Sequence, residues 1–356
     1  MADLNDTPLV GLDHEELVVR RGRRSGLYTV VAVHSTALGP ALGGCRLWRY
    51  ESSADGTRDA LRLSRAMTFK AAAAGLDLGG GKGVICAEPG PPPSGQRRRD
   101  LLLDFADTVN VLEGQYITAE DVGTSARDMA VMAEATRHVT GLARSQGGSG
   151  DPSPFTAQGV EAAMRACCER RFDSRELRGR KVAIVGAGHV GSALAKRLAK
   201  AGAKLILADI DQSKRELARE LRARWTDPSS AMLAEVDVLA PCALGGVIDQ
   251  VNVGLLRTKV VCGAANNQLA HEGLADDLAG RGILYAPDFI ANAGGLINVS
   301  MELEGYDPKR VRERVEAIEE TVGEILDEAE TAGSTPLAAA HQLARRRLRR
   351  RIPSPG

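Results

Sequence analysis

The sequence predicts a two-domain α/β protein whose second half is a doubly wound parallel sheet, and three observations predict it. Its 356 residues suffice for about two domains that each bury a core. The densest cluster of chain breakers, Asp151-Pro152-Ser153-Pro154-Phe155-Thr156 after the glycine-rich stretch 147–150, separates two differently patterned regions, which places domains at 1–150 and 151–330. Beyond that boundary strand and helix signals alternate regularly, the pattern of a parallel sheet with crossover helices.

In the first domain, apolar runs at Tyr28 to Val33, Val84 to Cys86 and Tyr116 to Thr118 read as strands, and helical patterning covers Thr57 to Gly75 and Arg99 to Leu112. In the second, a helix from Ala157 to Arg171 leads to a strand at Val182 to Val185. A helix from Val190 to Lys200, closed by Gly202, follows. Further strands fall at Leu205 to Ala208, Val236 to Leu239, Val260 to Cys262 and Ile283 to Tyr285. From Pro308, the residues Val311, Val315, Ile318, Val322, Ile325 and Ala329 recur at helical spacing, predicting one long amphipathic helix that ends near Gly333. Thr335-Pro336 then supplies an N-cap and a first-turn proline for a final helix. The helices from about 331 to 356 are expected to pack back on the first domain.

Forty-six basic and forty-six acidic side chains cancel, so no global field favours nucleic acid or an anionic membrane as partner. The Arg345-Arg346-Arg347-Leu348-Arg349-Arg350-Arg351 run is read as a solvated helical tail or an oligomer contact, because only 3% of the chain is aromatic and no recognition motif accompanies it. The first residues lack the features of a signal peptide and no apolar run is long enough to span a bilayer, which gives the expectation of a cytoplasmic protein. Six cysteines without a CxxC pair read as reduced thiols in packing roles, with no metal site.

Gly186-Ala187-Gly188-His189-Val190-Gly191 follows an apolar strand and opens a helix, the context that a dinucleotide-binding turn requires. The first glycine permits the turn, the second admits a pyrophosphate and the third lets helix and strand pack, while amides of the helix N-terminus face the phosphates. Asp209, at the end of the next strand, would accept from the adenosine ribose hydroxyls and repel a 2′-phosphate, which favours NAD over NADP. A Rossmann domain is therefore expected.

Lys82 lies in Gly79-Gly80-Gly81-Lys82-Gly83, which lacks the outer glycine and the hydroxyl residue of a phosphate loop. The glycines permit close backbone approach. Lys70, twelve residues upstream near a helix end, could share a cleft with Lys82, each depressing the other's pKa. One lysine would then act as a base and the other hold a carboxylate; a pair of surface lysines is the alternative. Asp121, just after the Tyr116 to Thr118 strand, is placed either to project into a cleft or to serve as a turn residue.

Taken in order, Gly43-Gly44-Cys45-Arg46, Lys70, Gly79 to Gly83, Ile117-Thr118-Ala119-Glu120-Asp121-Val122-Gly123, Pro152 to Thr156, Gly186 to Gly191 and Ala291-Asn292-Ala293-Gly294-Gly295 resemble the glutamate, leucine, phenylalanine and valine dehydrogenases over nearly the whole chain. The resemblance implies reversible NAD-dependent oxidative deamination of an L-amino acid to an oxo acid and ammonia. The domains would be separated by a cleft that closes over substrate. It implies that Lys70 binds the substrate carboxylate, that Lys82 activates water, and that Asp121 exchanges protons with the amine. The carbonyl of Gly44 and the side chain of Asn266, or its neighbour Asn267, would hold that amine. Ser153, Thr156, Ala240, Pro241, Cys242, Ala264 and Asn266 would line the cofactor with Gly186, Ala187, Gly188, His189, Val190, Gly191 and Asp209. A homo-oligomer built through the first domain is also implied.

Where glutamate-specific members carry Lys and Ser to bind the side-chain carboxylate, this chain has Leu42 and Val299, so an apolar substrate is expected and glutamate rejected. Leu296 looks like the phenylalanine-type enzymes, whereas Ala119 is shared with the leucine type. The expectation is therefore L-phenylalanine, converted to phenylpyruvate, with leucine or valine as the alternative. A catalytically silent NAD-binding regulator predicts loss of the lysines or Asp121, and all three are present. A hydroxy-acid enzyme on the same fold would need a histidine acid/base, and the six histidines form no constellation evident from the sequence.

Overall fold

The computed structural model describes residues 12–351. The first residues, on which the expectation about targeting rests, lie outside the described residues. The chain divides after Gly150, the position expected from the breaker cluster, and the described residues from Leu348 onward are grouped with the first unit.

The first unit is built on a five-stranded sheet. Its elements in order are β1 (Glu16–Arg21), β2 (Tyr28–Ser35), β3 (Ala41–Arg49), α1 (Ser53–Ala73), β4 (Gly79–Ala87), α2 (Gly95–Asn110), β5 (Tyr116–Glu120) and α3 (Ala126–Ala133). The spatial order is β1-β2-β4-β3-β5, with β1, β2 and β4 antiparallel to one another in turn and β4, β3 and β5 parallel. Side-chain alternation sorts the two faces. Val30, Ala32 and Val84 pack with Ala60 of α1, while Val31, Val33, Cys45 and Ile85 pack with Phe105 of α2 and Met129 of α3. Helix α1 begins at Ser53, before the expected Thr57, because Ser52 caps it by accepting from Asp55 N–H. Gly56 is the helix residue that lies on Cys86: a Cβ there would stand 2.5 Å from the sulfur.

The second unit comprises α4 (Ser153–Phe172), β6 (Lys181–Val185), α5 (His189–Lys200), β7 (Lys204–Ala208), α6 (Arg215–Glu220), β8 (Arg224–Thr226), α7 (Pro228–Met232), β9 (Val238–Pro241), β10 (Val260–Val261), α8 (Leu274–Gly280), β11 (Leu284–Tyr285), α9 (Asp288–Ala291), α10 (Gly294–Ser300), α11 (Pro308–Glu316), α12 (Ile318–Ala332) and α13 (Pro336–Arg351). Its six strands are all parallel in the order β8-β7-β6-β9-β10-β11, the doubly wound arrangement in which the strand order reverses between β6 and β9. Helix α4 is buried over most of its surface from Phe155 to Cys168 because α5, α10, α11 and α12 surround it, which explains the small and apolar residues that fill most of its buried positions.

Two expectations are corrected. The long C-terminal helix is two, α11 and α12, parted at Ala317, whose ψ of −11° departs from helical values while apolar spacing continues across it. Spacing reports the buried face and is blind to one irregular residue. The final helix, expected with the first domain, is grouped with the second unit as far as Arg347. Leu337 completes the core of the second unit. Arg346 is paired with Glu328 of α12. No helix among the described residues is long and apolar enough to cross a membrane.

Candidate active site

In the first unit the candidate residues share one face of the sheet. Leu42, Gly44 and Arg46 alternate along β3 onto the same side, and β5 sets Ala119 beside Gly44. Lys82 lies between Gly80 and Val84 on the face of β4 that α1 covers. Its ammonium is buried and donates to Asp121 Oδ2 at 2.6 Å. Arg46 Nε donates to the same oxygen at 3.1 Å, so Asp121 carries two cations on one carboxylate oxygen.

The loop that presents Asp121 is fixed by its own bonds. Asp121 N–H donates to Thr124 Oγ1, which donates onward to the Cys45 carbonyl, and Arg98 holds the Gly123 carbonyl at 2.8 Å while pairing bidentately with Asp128. Gly44 is required by the approach of this loop: a Cβ there would stand 2.7 Å from both Asp121 Cβ and the Glu120 carbonyl oxygen.

Burial pushes the Lys82 ammonium below the ordinary lysine range, against the pull of Asp121; Arg46 adds to the downward push. Burial alone would raise Asp121, but the charges and hydrogen bond of Lys82, with Arg46 beside it, hold its carboxyl below the usual range. The arrangement therefore combines a lysine eased toward neutrality with a carboxylate kept ionised.

Lys70 occupies the last turn of α1 and is half-buried. The glycines around Lys82 admit the protein's own backbone and side chains. A Cβ on Gly80 would meet Thr68 N at 2.0 Å, so α1 rests directly on β4 two residues before Lys70. Arg46 is a cation that adjoins Lys82 through Asp121. Leu42, Ala119 and Val299 are buried, and Leu296 is half-buried.

In the second unit the turn after β6 has the geometry that a dinucleotide needs. Gly186 has φ +107°, a Cβ on Gly188 would meet nothing within 4 Å, and one on Gly191 would stand 1.9 Å from the Gly186 carbonyl oxygen. The turn is therefore tight, open at Gly188 and closed where α5 packs. Asp209 Oδ2 accepts Ala187 N–H at 2.6 Å and Oδ1 accepts Asp211 N–H at 2.8 Å, which aims the carboxylate along the turn with one lone pair on each oxygen to spare. A ribose diol fits such acceptors, so the residues present suit NAD.

Asn292 Nδ2 donates to Asn266 Oδ1 at 2.8 Å and to the Ala264 carbonyl at 3.1 Å, whereas Asn267 adopts a left-handed φ of +51° as a turn residue. The side-chain oxygen of Asn266 is thus engaged by Asn292. The Gly294-Gly295 pair packs on the start of α4, where Cβ atoms would meet the Phe155 carbonyl oxygen and Thr156 Oγ1. Cys242 follows β9, with Ala240 and Pro241 at its end, and its N–H donates to the Val185 carbonyl beside the turn. Burial pushes its thiol up to about 12, so it is inert, and all six cysteines are free.

Sequence reasoning missed three participants. Arg46 and Asn292 stood within the family-like motifs without a role of their own, and Asp59 of α1 had no signal. It also missed that His14 and His34 meet edge-on with ring centroids 4.9 Å apart, tied to Ser64 and Thr68 of α1.

Residues 14–138 match the family described as the Glu/Leu/Phe/Val dehydrogenase dimerisation domain, and residues 206–354 match the glutamate/leucine/phenylalanine/valine dehydrogenase family. Residues 156–244 also match the NAD-binding domain of D-isomer-specific 2-hydroxyacid dehydrogenases. The chain is 43% identical over 337 residues to a leucine dehydrogenase of Thermoactinomyces intermedius, covering 94% of this chain and 91% of that one. It is 44% identical over 344 residues to a valine dehydrogenase of Streptomyces virginiae, covering 94% of each. The crystal structure of an L-tryptophan dehydrogenase from Nostoc punctiforme superposes with a TM-score of 0.83 at 36% identity, over 95% of this chain and 98% of that one.

Proposed function

The chain belongs to the glutamate/leucine/phenylalanine/valine dehydrogenase family, and from that premise we propose that it deaminates a branched-chain aliphatic L-amino acid, leucine or valine, with NAD as oxidant. The fold and the family make it an NAD-binding oxidoreductase of the amino acid dehydrogenase type. The observation that carries the mechanism is the pairing of buried Lys82 with half-buried Asp121 beside Arg46. NAD, when bound, supplies the hydride acceptor. Asp121 takes a proton from the substrate ammonium, because a hydride leaves the α-carbon only when the nitrogen is neutral. Neutral Lys82 then removes a proton from the water that attacks the imine carbon; Asp121 returns a proton to the amine, and as the C–N bond breaks the carbinol hydroxyl gives its proton to the departing ammonia, which leaves as ammonium with the oxo acid behind. Lys70 holds the substrate carboxylate, and the Gly44 carbonyl and Asn266 side chain orient the amine.

Leucine and valine replace phenylalanine as the first expectation because relatives of these two activities match at 43 and 44% identity along nearly the full chain, which outweighs the likeness to phenylalanine-type enzymes seen at Leu296. Leu42 and Val299 support rejection of glutamate, whose second carboxylate would be desolvated without a partner. The family description of the first domain supports a homo-oligomer formed through it. The test is NADH formation with leucine, valine, phenylalanine, tryptophan and glutamate at alkaline pH. Highest kcat/KM with leucine or valine is expected. An aromatic preference would correct the pocket alone, and no turnover with any amino acid would overturn the reaction class.

A further inference from the structure

A base that must lose its proton in the interior faces an electrostatic difficulty. If Lys82 were the only cation on Asp121, neutral Lys82 would leave a half-buried carboxylate without a counter-charge, a disfavoured state that would hold the proton on the lysine. The structure supplies a second cation. Arg46 Nε bonds the same Asp121 Oδ2 that Lys82 bonds, and its guanidinium does not titrate in this range.

Arg46 is itself held from behind. Its Nη1 donates to Asp59 Oδ2 at 2.9 Å; Tyr50 OH donates to the same oxygen at 2.7 Å, and Arg62 bonds Asp59 Oδ1 at 2.8 Å. The planar fork thus spans two carboxylates on different edges, which an ammonium cannot do from one point. The relay runs from α1 through β3 to the loop after β5, ending on the reacting pair.

We propose that Arg46 is the permanent counter-ion of Asp121, a positioning residue that lets Lys82 give up its proton while Asp121 stays ionised and aimed; this rests on the reading of Lys82 and Asp121 as the reacting pair. Cys45, Tyr50, Asp59, Asp128 and Arg98, which also adjoin the cluster, do not take this part. Cys45 on β3 is fully buried and its thiol is pushed far up, so it is neutral, and Tyr50 is likewise held protonated by burial and Asp59. Asp128 and Arg98 neutralise one another, and Asp59 is occupied by Tyr50, Arg62 and Arg46.

The experiment compares kcat/KM against pH for the wild type, R46Q and R46K, with NAD binding by fluorescence and melting temperature for each. Loss of the Arg46 charge tightens the grip of Asp121 on the Lys82 proton. In R46Q the rise of kcat/KM with pH should therefore move about one unit higher, an approximately tenfold loss on the rising limb that is recovered at high pH. The loss should fall on kcat more than on KM, with NAD affinity unchanged. R46K keeps the charge without the bridge, so its limb should stay near the wild-type position at a reduced kcat. An unmoved limb in a folded R46Q would overturn the proposal, since a merely structural role lowers activity equally at every pH. Should R46Q not fold, a full-unit displacement in R46K would overturn it. Absence of turnover in the wild type would instead remove the reaction on which the proposal stands.

Discussion

Lys82 must be neutral to remove a proton from water, and its burial moves it in that direction. Turnover should therefore rise with pH and level off below the ordinary lysine value of about 10.4. K82A should lower kcat by roughly two to four orders of magnitude, the usual contribution of a positioned base, while NAD affinity is preserved. Unimpaired turnover, measured by NADH absorbance, would take Lys82 out of the mechanism. On the cofactor side, D209A should raise the affinity for NADP relative to NAD, because it removes both the ribose acceptor and the charge that repels a 2′-phosphate. Paired titrations giving an unchanged affinity ratio would sink that assignment.

At the level of elements, two contacts position the candidate site, and each makes a prediction. Helix α1 lies on β4 with Thr68 over Gly80, so G80A must push the helix away and move Lys70 with it. Overpacking of this kind costs about 1–3 kcal/mol, and the KM for the amino acid should rise with the loss in Tm. Asp104 of α2 accepts N–H groups of Arg24 and Ser25 and the Ser25 hydroxyl, fastening the β1–β2 turn. Burial alone would raise this carboxyl, but those bonds hold it below the usual range. A depressed folded-state pKa adds stability above the unfolded value of about 3.9 that is lost as pH falls through the folded one. D104N should therefore melt lower near neutrality and lose less stability on acidification than the wild type. Parallel melting curves across that range would contradict the assignment.

For the whole molecule, the prediction is a homo-oligomer. Light scattering should give a mass that is an integral multiple, greater than one, of the 37.7 kDa chain. A strictly monomeric active protein would refute association through the first domain. At this scale the boundary at 150 and the parallel second sheet were legible because breakers and strand–helix alternation are local signals. Strands β1 and β3 were not. β3 carries Gly43 and Gly44 in mid-strand, which read as loop, and its pairing with β4 and β5 is what makes it a strand.

By itself the sequence determined the dinucleotide turn, the carboxylate at Asp209, and the residue types of the amino acid chemistry. Each depends on neighbours in the chain or on a motif whose order is preserved. Only the tertiary structure decided which cation stands beside Lys82. Arg46, Asp59 and Asp121 come from a strand, a helix and a loop far apart in sequence, and register together with close glycine contacts brings them onto one face. Electrostatic coupling depends on distance through space, which spacing along the chain does not encode.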